Sequence, residues 1–225
     1  MNILFEDRHI VVCIKPVGLL SQADENGGES MITALESQCG TSIFPLHRLD
    51  REVGGIMVYA KTKQAAAILS QAIAAQQLQK EYIAWVHGCP SPSQGELRDL
   101  LFKDSRKNKS FVVERMRKGV KEARLAYRVI STREMEGQPR SAVQILLYTG
   151  RTHQIRVQFS SRKMPLIGDR RYGARDEDAP IGLWSFRLRF AHPITHVPLC
   201  FAAMPDFAPL RDGLPATADE LPLLS

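Results

Sequence analysis

Short runs of β-branched and aromatic residues recur along this 225-residue chain, and several are joined by links too short to hold a crossover helix. That spacing limits the fold more than any other feature. Parallel neighbours need a connection of roughly a dozen residues or more, whereas antiparallel ones do not. Residues 9–14, 55–60, 81–87, 110–113, 120–130, 141–148, 153–159 and 183–190 all have strand composition. Within 120–130, Ala123, Leu125, Tyr127 and Val129 alternate with Glu122, Arg124 and Arg128, the pattern of a half-exposed strand. Thr149-Gly150-Arg151-Thr152 separates 141–148 from 153–159 and predicts an antiparallel hairpin. On its second arm His153, Ile155, Val157 and Phe159 face a core, while Gln154, Arg156 and Gln158 form a polar opposite face. Helical spacing is confined to 31–37, with Ile32 and Leu35 inward, and to 62–77, where Thr62 caps a face of Ala65, Ile68, Leu69, Ala72 and Ile73. Residues 21–30 read as a mobile loop, and the proline-bearing tail beyond 198 as a surface wrap with one short helix. Strands outnumber helices. The expected fold is α+β, a single domain over residues 1–225 with a central, largely antiparallel mixed β-sheet flanked by helices and loops.

Composition excludes several classes of protein. No run of about 18 apolar residues marks a membrane span. The opening Met1-Asn2-Ile3-Leu4-Phe5-Glu6-Asp7 lacks the charge and apolar order of a signal peptide, so a cytoplasmic protein is expected. Cys13, Cys39, Cys89 and Cys200 are scattered without a Cys-x-x-Cys pair, against both a disulfide scaffold and a zinc site of the usual spacing. His192 and His196 are four apart, yet Pro193 and Pro198 oppose a metal-binding helix there. Neither a metal nor a phosphate-binding glycine loop is expected. The formal net charge of +6 and the pI near 9.3 favour a polyanionic partner. Most of that excess lies between Lys103 and Lys118, where Lys103, Arg106, Lys107, Lys109, Arg115, Arg117 and Lys118 face only Asp104 and Glu114. A concentrated +5 makes a stronger case for nucleic acid than the same charge spread thinly, with Lys103, Lys107 and Lys109 as candidate contacts.

One acidic residue stands out. His47-Arg48-Leu49-Asp50-Arg51 runs into Val53-Gly54-Gly55 and then the apolar stretch 56–60. A carboxylate between two arginines has its charged form favoured, which suits a nucleophile or a stabiliser of positive charge better than a proton donor. Taken alone, the stretch reads as readily as a solvated turn with a surface ion pair.

Several segments, in order, resemble the RluA-type RNA pseudouridine synthases. His47-Arg48-Leu49-Asp50 with Gly55 and Ala60-Lys61 resembles the catalytic segment of that family, and Lys80-Glu81-Tyr82-Ile83-Ala84 with Gly88 its second motif. Gly150-Arg151-Thr152-His153-Gln154-Ile155-Arg156-Val157 resembles the third. Pro165-Leu166-Ile167-Gly168-Asp169-Arg170-Arg171-Tyr172-Gly173 and Ala191-His192-Pro193 resemble later segments, so the likeness covers nearly the whole chain. It implies a pseudouridine synthase fold and an isomerase that breaks the N1–C1′ bond of a uridine in rRNA or tRNA and rejoins the base through C5. It also implies that Asp50 is the catalytic aspartate, as nucleophile or as stabiliser, that Tyr82 stacks on the target base and is a candidate for the later proton transfer, and that Arg156 pairs with the aspartate. Arg48 would fill the gap left by the flipped base, and His47, Arg151, His153 and Gln154 would line the RNA.

The chemistry agrees with those assignments. Extruding a base from its stack costs a few kcal/mol, and an aromatic platform returns about 1–3 kcal/mol of stacking. The rearrangement is redox-neutral and calls for no cofactor. Recognition of splayed bases suits basic loops around a sheet. The implied enzyme works as a monomer on RNA, with no small-molecule cofactor and no membrane partner. No separate N-terminal RNA-binding domain is expected before the first strand, so target selection would fall to the catalytic domain. One departure is visible: Val53-Gly54 stands where members of the family usually have Thr-Ser. Loss of two hydroxyls near Asp50 motivates an alternative, an RNA-binding protein of the same fold with impaired catalysis.

Overall fold

The computed structural model describes residues 1–23, 27–135, 137–176, 179–206, 211 and 213–224. In chain order the elements are β1 (Asn2–Glu6), β2 (Ile10–Lys15), α1 (Met31–Cys39), β3 (Phe44–Pro45), β4 (Gly54–Ala60), α2 (Lys63–Ala74), β5 (Gln79–His87), β6 (Gln94–Asp104), β7 (Lys109–Val113), β8 (Val120–Met135), β9 (Gln138–Leu147), α3 (Gln154–Ser160), β10 (Leu183–Ala191) and β11 (Pro198–Ala202). The fold is α+β with mixed, largely antiparallel sheet structure, as expected. It divides into two compact units, one of residues 1–80 and 185–203 and one of residues 81–184 and 204–225.

In the first unit the strand order runs β1-β2-β4-β10, with β3 against β4 and β11 against β10. β2 pairs antiparallel with β4 from Ile10↔Ala60 to Lys15↔Gly55. Ile10, Val12, Ile56, Val58, Leu188 and Phe190 from these strands pack with Ala65 and Leu69 of α2 and with Leu78. Small side chains on α2 let it lie close over the sheet, and Thr62 caps it by accepting from the Ala65 amide at 3.2 Å. Ser30 and Thr33 close a capping box at the start of α1, which turns Met31 and Leu35 into the core and leaves Ile32 half-buried. Gly55 has φ +120°, and a Cβ there would fall inside the backbone of Ser185 on β10. Only glycine lets β4 and β10 approach so closely.

In the second unit the order is β5-β9-β8-β6-β7, with long antiparallel ladders β8–β9 and β6–β8. Leu101, Ala123, Val157 and Tyr172 form a core cluster in it. The C-terminal tail returns to this unit: the Pro222 carbonyl accepts from Gln144 Nε2 at 2.9 Å and from Arg128 Nη2 at 3.0 Å.

Three expectations need correction. The proposed strand 153–159 is the short helix α3, in which Gln154, Arg156 and Gln158 are as buried as Ile155, Val157 and Phe159. Its alternation reflected two buried faces, because each polar side chain is bonded inside the protein. The stretch after Cys89 holds an eleven-residue strand, β6, where only a turn and a basic loop were expected. Its charges are matched across the ladder and from α3: Arg124 of β8 reaches Glu96 at 2.6 Å, and Gln158 and Arg162 reach Asp99 at 2.7 and 2.9 Å. The tail contributes a strand, β11, before its 3-10 turn at Ala218–Glu220. Of the expected loop 21–30, residues 24–26 lie outside the described residues, and Ser21 and Ser30 are fixed by hydrogen bonds.

Candidate active site

Asp50 lies in the first unit, half-buried, in the irregular segment between β3 and β4. A four-residue turn follows it, closed by the Val53 amide donating to the Asp50 carbonyl at 3.0 Å. That bond is main chain to main chain, so the turn forms without the two hydroxyls that Val53-Gly54 lacks, and nothing in the loop favours the impaired alternative.

The flanks of Asp50 are fixed from three directions. Ser21 Oγ accepts from the Leu49 amide at 3.0 Å and donates to the Leu49 carbonyl at 2.8 Å, while Leu49 itself is buried. The Ser21 carbonyl in turn accepts from the Tyr59 hydroxyl at 3.0 Å, and burial pushes the Tyr59 pKa far up. Arg51 exchanges bonds with Gly18, its Nε donating to the Gly18 carbonyl at 2.9 Å and its carbonyl accepting from the Gly18 amide at 2.8 Å. His47 accepts from the Val58 amide of β4 at 3.3 Å through Nε2. Burial, with Lys80 adding to it, lowers the His47 pKa to about 3, so the ring is a neutral strut at physiological pH.

Lys15 adds a fourth restraint. It ends β2 opposite Gly55, is fully buried, and sends Nζ to the carbonyls of Leu19 at 2.6 Å, Pro16 at 2.9 Å and Arg51 at 3.2 Å. Desolvation lowers its pKa to about 8, and the charges of Asp50 and Glu52 oppose that shift. A cation with three donors therefore ties the turn after β2 to the turn after Asp50. Sequence reading missed both Lys15 and Ser21. A usable signal was present for the lysine, since Lys15 terminates the apolar run 10–14 where a strand end has no evident need for charge.

Arg48, singled out for the space behind the flipped base, is exposed next to this loop.

The second unit holds the other expected residues. Tyr82 is buried in β5. Arg156, on α3, grips Asp169 through Nε at 2.7 Å and Nη2 at 2.9 Å, a two-point pair between side chains that are both buried. Asp169 was quoted within a motif but not recognised as a partner. The Arg156 guanidinium and Lys109 Nζ lie 5.3 and 5.0 Å from the centre of the Tyr172 ring. The Tyr172 hydroxyl accepts from the Ser110 amide at 2.9 Å and contacts His153 Nδ1 at 3.0 Å. Burial raises the Tyr172 pKa, which keeps that hydroxyl protonated.

The proposed RNA contacts divide in two. Lys103 and Lys107 are exposed, and Arg151 donates Nε to the Glu122 carbonyl at 2.8 Å from a half-exposed position. Lys109 is drawn inward, donating to the Arg171 carbonyl at 2.6 Å. Gln154 is buried and engaged at both ends: its Oε1 accepts from Thr149 Oγ1 at 2.8 Å and the Arg151 amide at 3.0 Å, and its Nε2 donates to the Arg124 carbonyl at 3.1 Å. Those bonds hold the turn that launches α3.

Comparison with known proteins shows the family. Residues 9–161 match the model of the RNA pseudouridylate synthase family. The chain is 26% identical over 225 residues to tRNA pseudouridine synthase C of Pasteurella multocida, covering 90% of each. It is 31% identical over 210 residues to ribosomal large subunit pseudouridine synthase C of Buchnera aphidicola subsp. Schizaphis graminum, covering 86% of this chain and 64% of that one. The solved structure of human RNA Pseudouridylate Synthase Domain Containing 1 shares the fold, with a TM-score of 0.79 at 22% identity over 97% of this chain and 91% of that one. With the family model spanning more than half of its residues and the motifs falling in order, this chain belongs to the RNA pseudouridylate synthase family, among its RluA-type members, and is an isomerase acting on uridine in RNA.

Proposed function

We propose that the enzyme isomerises a uridine of tRNA or rRNA with Asp50 as its reacting carboxylate. The observation that carries the assignment is the loop itself: Leu49 and Arg51, the neighbours of Asp50, are held on both sides by Ser21, Lys15 and Gly18. Catalysis by a charged group gains most when its position is set before the substrate arrives, and such prior order supports either attack at C1′ or stabilisation of positive charge there. The reaction balances within the nucleotide: the N1–C1′ bond breaks, C5–C1′ forms, the C5 proton leaves and N1 gains one. Tyr82, as stacking platform and candidate for the C5 proton transfer, and Arg156 enter the proposal through the family motifs. Among the candidate RNA contacts, exposed Arg48, Lys103 and Lys107 and half-exposed Arg151 and His153 are assigned to the RNA, while His47, Lys109 and Gln154 serve as framework. The assignment of tRNA or rRNA is supported by the names of the two relatives, and we take the working unit to be one chain in the cytoplasm.

The test is conversion of tRNA and rRNA transcripts tritiated at uridine C5, with pseudouridine confirmed by chemical adduct mapping. Wild type should release tritium and form adducts, and Asp50→Asn should do neither while keeping RNA affinity. Equal conversion by Asp50→Asn would sink the assignment, and release of free uracil would mark hydrolysis instead.

A further inference from the structure

The second unit carries a cleft of about 400 Å³ that the catalytic assignments do not use, lined by His87, Ser160, Lys163, Pro165, Ala174 and Arg175 among others. His87 lies five residues along β5 from Tyr82, about 17 Å of strand, so the cleft is separate from the proposed base platform. Among the described residues that line it, the charged side chains are the cations Lys163 and Arg175. Asp176, which bonds His87 at 2.7 Å, is itself countered by the Gly168 amide at 2.9 Å and Arg140 at 3.4 Å. Among the described residues, neither Lys163 nor Arg175 has an ion-pair partner.

Lys163 is also backbone-strained. It lies three residues past the end of α3 with φ +63°, its amide donating to the Ser160 carbonyl at 2.9 Å while the Met164 amide donates to the Phe159 carbonyl at 3.1 Å. This is the helix-ending position where glycine is the residue free of strain. A lysine held there, on the rim of a cleft and without an ion-pair partner among the described residues, is the kind of local strain that accompanies binding.

We propose that this cleft binds a backbone phosphodiester of the RNA at a distance from the reacting uridine, with Lys163 and Arg175 on the phosphate. Pro165 and Ala174 offer an apolar wall to the attached sugar, and the volume suits a group of that size. The inference rests on the reading that RNA is the substrate. A free nucleotide offers the same phosphate chemistry, and the experiment separates the two.

RNA binding is measured by fluorescence anisotropy across a salt series for wild type and for Lys163→Gly combined with Arg175→Ala. Each phosphate contact contributes about 0.7–0.9 to the slope of log affinity against log salt. The double variant should therefore lose about 1 from that slope. Its KM for RNA should rise with kcat at saturating RNA unchanged, and Lys163→Arg should retain the wild-type slope. Glycine relieves the strain at 163, so thermal melting should be unchanged or raised in Lys163→Gly, and that single variant decides the matter if the Arg175 change harms folding. An unaltered slope overturns the proposal. So does saturable binding of uridine 5′-monophosphate that the double variant abolishes, since it would make the cleft a nucleotide site. A wild type that converts no uridine, paired with a variant that still loses slope, leaves the anchor standing and removes only the isomerase reading.

Discussion

Lys15 yields the sharpest prediction because its effects on stability and on activity have opposite signs. Its folded pKa is about 8, whereas a lysine in an unfolded chain titrates near 10.4. Between those values the unfolded state binds more protons, so this group makes stability rise with pH from about 8 to 10.4. Over the same window the Asp50 loop loses its tie. The ammonium serves three carbonyls, at 2.6, 2.9 and 3.2 Å. A neutral amine offers two N–H groups, so one carbonyl loses its donor and the other two bonds lose charge assistance. Hydrogen bonds to charged groups are worth about 1.5–3 kcal/mol against 0.5–1.5 for neutral ones. If about 2 kcal/mol of that difference is spent in holding Asp50, turnover falls roughly 30-fold. Single-turnover conversion of RNA from pH 6.5 to 10, with urea unfolding at each pH, tests this. Turnover should drop with a midpoint near 8 while unfolding becomes no easier. Lys15→Met, similar in volume and uncharged, should be slow at every pH and lack the alkaline limb. A wild-type rate that is flat to pH 9.5, or an identical limb in Lys15→Met, refutes the reasoning.

Two further perturbations probe the framework. His47 stays neutral in the folded protein because its pKa is held at about 3, whereas in the unfolded chain it takes a proton below 6.5. Stability should therefore fall by about 2 kcal/mol between pH 6.5 and 5 through this residue alone, and His47→Gln should remove that slope in urea titrations; an undiminished slope would place the acid sensitivity elsewhere. Asp169→Leu removes the two-point buried partner of the Arg156 guanidinium, and the cost expected is roughly 3–5 kcal/mol of stability, read from the denaturant midpoint at constant m-value. A loss below about 1 kcal/mol would mean that the pair contributes little beyond geometry.

Legibility in the sequence followed burial. Strands β2, β4, β5, β9 and β10 are rich in Val, Ile, Leu and aromatic residues and buried on both faces or nearly so, and their runs were read with boundaries close to those observed. β1 and β11 escaped notice because they are five-residue, half-exposed strands, one of them opening on proline. β6 was hidden by charges that look like a loop until Arg124, Gln158 and Arg162 are seen opposite them. The helix α3 failed for a related reason: seven residues are too few to show a 3.6-residue period, and β-branched Ile155 and Val157 two apart imitate a strand. At the candidate site, the motifs singled out Asp50, Tyr82 and Arg156, but the residues that fix the Asp50 loop are bonded through the backbone. Ser21 and Lys15 act on carbonyls and amides that every residue possesses, so nothing in the sequence announces the serine, and the lysine shows only as a charge at the end of an apolar run.

The same distinction governs the basic charge. Between Lys103 and Lys118 the sequence shows one block of +5, yet its members do different things. Lys109 donates to the Arg171 carbonyl and lies over the Tyr172 ring, and Arg171 returns a bond to the Asn108 carbonyl at 2.8 Å, which clasps the β6–β7 hairpin to the loop after α3. Arg117 covers the Phe102 ring at 5.2 Å. Lys103, Arg106, Lys107, Arg115 and Lys118 remain exposed. Counterion release is available only to cations whose heads reach phosphate, so the run offers the RNA fewer positive groups than its sequence suggests. Part of the salt dependence of binding is then expected from outside it, and Arg48, Lys163 and Arg175 are among the exposed basic residues there. A charge count along the sequence overstates the hairpin and understates the scattered arginines and lysines, because it cannot tell a cation that is bonded within the protein from one that is free to meet a phosphate.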